Sequence, residues 1–380
     1  MSVLLRFLYL VTALMFISSA FSIENIKSIM DVDASRGKED CIDYIRSDKI
    51  VKISCKSTNL TEVYNTLDDP DILIEESPRV WILNANIQVD DESTFYINSI
   101  DTSWLKINST GGIAHYIEVR GNMKVDSVKI TGWNTQLNSF AKTDEHGKIP
   151  RSYIKVVEGS DFPTRTDITN SEITYLGYNA SRSFGLSYYA GAGSSIKNNE
   201  IHNLWYGFYS ANYRFGVYNI TIENNHFYNN SLYGIDPHSG SHHLVIRNNT
   251  VNDNGKHGII CSKHCYNLLI EKNRVFNNFD RGIMLDKHIT ESIIRNNTVS
   301  GNTVQIAIHT LSDNNEIHGN IMHGGEAGIE ISDRSGNNTI HHNKIIGSDY
   351  GIYLLEPGPL NIVVSNDVKN TSMYSVAYID

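Results

Sequence analysis

From about residue 196 onward, apolar positions recur in short alternating runs rather than at helical spacing. Ile222, Ile246, Ile270, Ile294, Ile317, Ile340 and Val363 each lead, three residues later, to Asn225, Asn249, Asn273, Asn297, Asn320, Asn343 and Asn366, so the steps are 24, 24, 24, 23, 23 and 23 residues. Eight or nine residues past the Asn a second run opens at Gly234-Ile, Gly258-Ile, Gly282-Ile, Gly328-Ile and Gly351-Ile, and only the rung with Ile306 departs from this. Short strands bounded by Asn and Gly are the signature of β-structure without intervening helices. Such a unit cannot bury its apolar side alone, so neighbours must stack, each adding one coil to a solenoid filled by inward Ile, Val and Leu. The pattern predicts an all-β chain, a single-stranded parallel β-helix with coils of about 23–24 residues. Asn suits the corners, because it tolerates a left-handed backbone and stacked Asn side chains hydrogen-bond from coil to coil. A leucine-rich repeat has a similar period but needs a Leu framework and a helical segment that this sequence lacks.

Less regular coils extend upstream through Ile196-Lys-Asn-Asn199, Ile168-Thr-Asn170 and the strand-like Val125 to Ile130. The division expected is an irregular N-terminal cap at 21–78, the β-helix at 79–370 with a loop leaving the coils at 141–150, and a closing strand at 371–380. Residues 1–20 carry Arg6, an apolar run from Phe7 to Ile17 and the small Ser18, Ser19 and Ala20, the order of an export signal cut after Ala20. That run is shorter than the ~20 residues a spanning helix needs. The mature protein is expected to be secreted, periplasmic or on the cell surface, without a stable membrane span; an uncleaved anchor is the alternative.

Composition narrows the classes further. With 40% hydrophobic and 10% aromatic residues in 380, a large core can form and disorder is excluded. Asn accounts for 41 residues, 29 of them between 198 and 370, and this bias alone generates sequons, of which there are nine. The formal charge is −10 and there is no basic stripe, which argues against nucleic acid as a partner. Four Cys are too few for a disulfide scaffold. Cys41 and Cys55 can close a small loop in an oxidising compartment. Cys261 and Cys265 flank His264, but no second cluster completes four metal ligands. No metal or other cofactor is predicted, no calcium-binding Gly-Gly-x-Gly-x-Asp repeat occurs, and a monomer is expected.

Parallel coils stack at ~4.8 Å, so equivalent positions form columns on the outer faces. Aligned on the Gly, the position before it holds Tyr206, Tyr233, His257 and Arg281, and the second position after it Tyr209, Asp236, Ile260 and Met284. The fourth holds Ala211, His238, Ser262 and Asp286, and the fifth Asn212, Ser239, Lys263 and Lys287. Consecutive coils thus gather Asp236, His238, His257, Lys263, Arg281, Asp286 and Lys287 on one patch. A solvated polar face explains any one of them. Their concentration, with Pro237 removing a ladder N–H amid the strand, argues for a site.

Tyr233-Gly-Ile-Asp-Pro-His238, followed by Ser241-His242 and Lys256-His-Gly-Ile-Ile260, resembles the signature of the periplasmic mannuronan C5-epimerases that modify alginate. Trp81-Ile-Leu-Asn-Ala85, Val128-Lys-Ile-Thr-Gly-Trp133, Pro150-Arg-Ser-Tyr-Ile154, Tyr175-Leu-Gly-Tyr178 and Tyr206-Gly-Phe-Tyr-Ser210 resemble the same family in the same order, so the likeness spans roughly residues 80–290 by motif. The resemblance implies a right-handed parallel β-helix and C5-epimerisation of β-D-mannuronate to α-L-guluronate in a polyuronate polysaccharide. That chemistry needs a cation to neutralise the C6 carboxylate, a base on one face of the sugar and a proton source on the other. The motif His is the family's base, and His238 matches it. Lys263 stands where the family carries an Arg and is the expected neutraliser, though without a bidentate fork. Asp236 is expected to fix the His238 tautomer or to contact sugar hydroxyls. Tyr233, His257, Arg281, Lys287 and Tyr209 are the expected substrate contacts. Ser239 replaces the second Asp with which the motif usually ends. The negative net charge does not favour a polyanion, but salt screens it beyond ~8–10 Å and leaves Lys256, Lys263, Arg281 and Lys287 to govern the groove. Two other readings compete: a polysaccharide lyase, which begins with the same proton abstraction, and a non-catalytic carbohydrate-binding β-helix.

Overall fold

In the computed structural model, which describes residues 41–160, 163–212 and 216–379, the chain winds as a parallel β-helix. The export signal expected at 1–20 and the part of the expected cap at 21–40 lie outside the described residues. Three sheets run along the rod. Sheet A has 14 described strands from Ile42–Ile45 to Tyr374–Ile379, sheet B 12 from Thr58–Asn59 to Ile362–Val364, and sheet C 14 from Leu73–Ser77 to Asp367–Lys369. Within each coil the chain visits all three, so a strand's hydrogen-bond partners are its equivalents one coil away. Every second residue turns inward, as at Ile246, Val251 and Ile259, all fully buried in one continuous core. Among the described residues no helix is long and apolar enough to cross a membrane.

The N-terminal cap is more ordered than its polar sequence suggests. Ile42–Ile45 and Ile50–Ile53 form an antiparallel hairpin closed by the Cys41–Cys55 disulfide. Helix α1, Leu60–Leu67, follows, with Asn59 Oδ1 accepting the Glu62 N–H as N-cap and Leu60 and Val63 buried in the core. Ile50–Ile53 already pairs in parallel with Asn86–Val89, so the ladder starts inside the stretch expected to be irregular. The strand has only four residues, and its inward Val51 and Ile53 give too little alternation to stand out in sequence.

The corners explain the repeat. Asn199, Asn225, Asn249, Asn273, Asn297, Asn320, Asn343 and Asn366 form a ladder in which each Nδ2 donates to the next Oδ1 at 2.9–3.0 Å. Each Nδ2 also donates to a backbone carbonyl, such as Asn273 to Ile246 O at 2.9 Å, and each Oδ1 accepts a backbone N–H from the preceding coil. Buried amides are fully satisfied this way, each bond contributing ~1 kcal/mol. The left-handed backbone belongs to the residue before the ladder Asn: Asn224, Asn248 and Asn296 have φ of 58°, 54° and 54°, and Lys272, His342 and Ser365 take the same conformation. Asn at the corner therefore does two separate jobs at two adjacent positions. A second ladder, Asn230, Asn254, Asn278 and Asn302, ends on Gln305 Oε1. Gln305 stands where other rungs have Gly, which is why the Ile306 rung departs from the repeat. Elsewhere that Gly is required by crowding, since a Cβ at Gly258 would sit 2.7 Å from both Gly282 O and Asn278 Nδ2.

Candidate active site

Sheet A carries the chemistry on its outer face. The strands Tyr206–Ala211, Ile235–His238, Ile259–Ser262, Arg281–Asp286, Val304–His309 and Ala327–Ser332 stack in that order. The register aligns Ala211, His238, Ser262, Asp286 and His309 in one column and Ile260, Met284, Ala307 and Glu330 in another, with Tyr209 opposite Asp236 one coil earlier. Between the strands of His238 and Ser262 the pairing covers Ile235–Ile259 and His238–Ser262 but skips Asp236 and Pro237, where Pro has no N–H to give.

A cavity of about 470 Å³ lies over these columns. Ile260, Met284 and Ala307 cluster with Val304 and Ala327 into an apolar floor. One edge is the column of His238, Ser262, Asp286 and His309. The other is a stack in which Tyr206 lies 4.9 Å from Tyr233, and Tyr233 lies 5.3 Å from His257 with the rings within 2° of parallel. Arg281 completes that edge. Its Nη1 bonds Asp280 Oδ1, its Nη2 lies 3.9 Å from Glu330 Oε1, and its buried Nε has no partner. His309 Nε2 sits 2.5 Å from the same Glu330 oxygen, close in distance but off the hydrogen-bond axis.

Burial sets the protonation states. It depresses the His238 imidazole to about 4, with the positive charges of Lys263 and Lys287 adding to the effect, so His238 is neutral near pH 7. Its Nδ1 is 2.6 Å from Ser239 Oγ. His257 is held lower, at about 3, by burial and by Lys256 and Arg281. His257 Nδ1 accepts the Arg281 backbone N–H at 3.2 Å, which places its proton on Nε2. Burial alone drives the Asp236 carboxyl well above the ordinary carboxylate range, and its Oδ1 has no hydrogen-bond partner. Tyr233 is pushed up to about 12 by burial and by Asp236, and Tyr206 is raised for the same reasons. At neutral pH the cavity therefore presents a neutral imidazole and protonated phenols, beside a carboxyl whose ionisation burial opposes.

Of the residues singled out in sequence, His238, Asp236, Tyr233, His257, Arg281, Lys287 and Tyr209 all line this cavity. Lys263 does not. It takes a left-handed turn at φ 65° just past the end of its strand and is exposed, so only its charge reaches His238. The lining ammonium groups are those of Lys256 and Lys287, the latter 3.3 Å from Asp286. The partner of His238 Nδ1 is Ser239 Oγ rather than Asp236, and a hydroxyl, which can donate or accept, does not by itself fix the tautomer. Sequence reasoning missed Phe184, Asp280, His309 and Glu330. Aligning the Ile306 rung on its Ile rather than on an absent Gly would have placed His309 beneath Asp286.

These features define a parallel β-helix bearing an ionisable cleft on one sheet. The family described as "Periplasmic copper-binding protein (NosD)" matches residues 138–322 and 260–377, together more than half of the sequence, and the chain belongs to that family. Among curated proteins, the mannuronan C5-epimerase of Pseudomonas syringae pv. tomato is 28% identical over 178 residues, 44% of this chain and 31% of the relative. That of Pseudomonas putida is 26% identical over 176 residues, 43% and 32% respectively. The chain spans about a third of the length of the curated relatives it matches. Among solved structures, the periplasmic alginate epimerase AlgG superposes with a TM-score of 0.75 at 24% identity, covering 86% of this chain and 85% of that one. The A-module of Azotobacter vinelandii mannuronan C-5 epimerase AlgE4 gives 0.56 at 16% identity, with 77% and 83% covered. The β-helix is thus a fold shared with the alginate epimerases, and the likeness read from the motifs is matched by curated relatives bearing that name.

Proposed function

We propose that the chain is a polyuronate C5-epimerase, converting β-D-mannuronate to α-L-guluronate within an alginate-like polymer. The observation that carries the reading is a neutral imidazole, His238, on one edge of a cavity whose other edge is a stack of protonated phenol and imidazole rings. In the tautomer with its proton on Nδ1, facing Ser239 Oγ, His238 keeps a lone pair on Nε2 and takes the C5 proton. The electron pair left on C5 spreads into the C6 carboxylate, whose charge is offset by Lys256 and Lys287 from the cavity wall and by Lys263 from its rim. The Asp236 carboxyl, whose ionisation burial opposes, lines the same cavity and stands as a further polar contact for the substrate. Tyr233 returns a proton from the opposite edge, which inverts C5 without breaking a glycosidic bond.

A polymer needs more than one ring's length. A second depression of about 630 Å³, lined by Arg120, Arg182 and Tyr189 among others, lies on the same sheet toward the N-terminal end. Tyr189, 6.0 Å from Tyr209, connects the two. Copper, named in the family description, does not fit the cavity beside His238. His257 Nδ1 is taken by the Arg281 amide, Asp280 and Asp286 are engaged by Arg281 and Lys287, and among the described residues the lining His and Asp groups do not bring three ligand atoms within 4.8 Å of one another. No step is routed through a metal. The Cys41–Cys55 disulfide suits an oxidising compartment, which supports export to the periplasm or beyond.

The test is incubation with polymannuronate in deuterated water, followed by NMR. Guluronate signals carrying deuterium at C5, with chain length unchanged, are the expected result. Unsaturated ends absorbing in the ultraviolet would make the protein a lyase, and binding without any C5 exchange would make it a carbohydrate-binding β-helix.

A further inference from the structure

On sheet B, a different face of the rod from the cavity, the strands Glu316–His318 and Thr339–His341 pair in parallel, with Glu316 opposite Thr339 and His318 opposite His341. Ile317 and Ile340 point inward and are fully buried, so alternation places Glu316, His318 and His341 together on the outer face, all half-buried. In the preceding coils the same column is built from ion pairs, Arg247 with Glu223 and Arg295 with Glu271. At His318 the guanidinium gives way to imidazole. A guanidinium offers only donors, whereas a neutral imidazole offers a lone pair.

The two rings lie flat on one another, 5.0 Å apart and within 3° of parallel. Both Nε2 atoms turn to one carboxylate oxygen, Glu316 Oε1, at 2.8 Å from His341 and 3.8 Å from His318. One ligand atom from each of the three residues lies within 4.8 Å of the others. Bonds of ~2.0–2.2 Å from nitrogen and oxygen to one ion set the ligand atoms roughly 2.9–3.6 Å apart, so the His318 nitrogen must close in and the stacked rings must tilt out of parallel to aim both in-plane lone pairs at the ion. His342 supplies an outer partner. Its Nδ1 is 2.8 Å from His341 Nδ1, which supports that side of the ring; the Glu316 carboxylate, an acceptor only, faces a proton on His341 Nε2 that a bound ion would displace.

We propose that Glu316, His318 and His341 form a binding site for a borderline divalent transition-metal ion such as Cu²⁺ or Zn²⁺. Two imidazoles and one carboxylate select such ions over Ca²⁺ or Mg²⁺, which prefer all-oxygen shells, and Cu²⁺ heads the affinity order for a set of this kind. Three protein ligands leave coordination positions open, so the ion is exchangeable rather than a closed structural staple. The proposal does not rest on the uronate reading.

The experiment is calorimetric titration of the chelator-stripped full chain with Cu²⁺ and, separately, Zn²⁺, with the nitrogen hyperfine pattern of bound Cu²⁺ read by paramagnetic resonance. One equivalent is expected, weakened at least tenfold by His318→Ala or His341→Ala and less by Glu316→Gln, with unchanged melting curves for the metal-free variants. His323→Ala, which removes an exposed imidazole elsewhere on the rod, should leave that equivalent intact. Absence of binding, binding indifferent to both His318→Ala and His341→Ala, or equally tight Ca²⁺ binding would overturn the proposal. Should a single-site variant fail to fold, the nitrogen hyperfine pattern of the wild type decides: signals from fewer than two imidazoles exclude the site.

Discussion

The corner column from Asn199 to Asn366 keeps one residue type through eight coils, whereas the sheet A column Ala211, His238, Ser262, Asp286 and His309 changes at every step on the same backbone register. In the first column each side chain's partner is the same side chain one coil away, so a substitution strands a donor above and an acceptor below. In the second the neighbours satisfy each other only in part. Asp236 Oδ1 and Arg281 Nε are buried without partners beside it. Unmatched buried polar atoms are costly to keep; Thr58, Thr166, Ser187 and Trp205 hold others elsewhere on the rod, and the two beside this column differ in lining the cavity, where another molecule can complete them.

That contrast can be broken at its two ends. His238→Gln should reduce turnover by ~10²–10⁴ while leaving the melting curve and polymer binding unchanged, measured as guluronate formed per unit time. Retained turnover would remove His238 from the chemistry. Asn273→Ala should do the opposite. It removes the acceptor of the Asn249 amide and backbone N–H and the donor to Ile246 O and Asn297 Oδ1, four bonds at a cost of ~4 kcal/mol in denaturant titration, with activity per folded molecule preserved. A drop in activity equal to that of the His238 variant would erase the distinction between the columns.

Smaller effects sharpen it. Lys287→Ala, on the cavity wall, should raise the KM for polyuronate about tenfold, and Lys263→Ala, on the rim, only two- to threefold, a difference of ~1 kcal/mol. The reverse order would return Lys263 to the role its sequence position suggested. Smallest near neutrality is the effect of pH. The His238 imidazole lies at about 4 in the fold against an ordinary 6.5. Its folded value is depressed, so the stability it contributes is complete above 6.5 and is lost as pH falls from there through about 4. The acid limb of kcat/KM in the free enzyme should likewise fall near 4. A limb centred at 6.5 would mean that the imidazole is solvated.

The solenoid was legible because its period is written in residues that have no substitute in their places: the ladder Asn, which needs its twin, and the Gly, which faces the next coil's carbonyl. Aligning coils on those marks placed His238, Asp236, Tyr233 and Arg281 on one face. Three kinds of position escaped. His309 and Glu330 lie in or beyond the rung where Gln305 replaces Gly, so the alignment mark is missing there. Asp280 precedes the strand that Arg281 opens, outside the columns that were written down. Lys263 stands one residue past the end of its strand in a left-handed turn, as Lys287 does one coil later, yet Lys287 lines the cavity and Lys263 does not, so an offset along the strand no longer decides direction there. Offsets in sequence translate into direction only while the extended geometry lasts. The cap failed for want of length: the four residues of Ile50–Ile53 carry little periodic signal.

Because the groups over the cavity are carried by successive turns of one rod, their separations behave like marks on a ruler. Deleting or duplicating a whole turn would move every group beyond it by one division, ~4.8 Å, and nothing between is available to the backbone. Lineages of such rods can retune the match to a polymer's own repeat only in whole divisions, with fine adjustment left to which side chain occupies each mark.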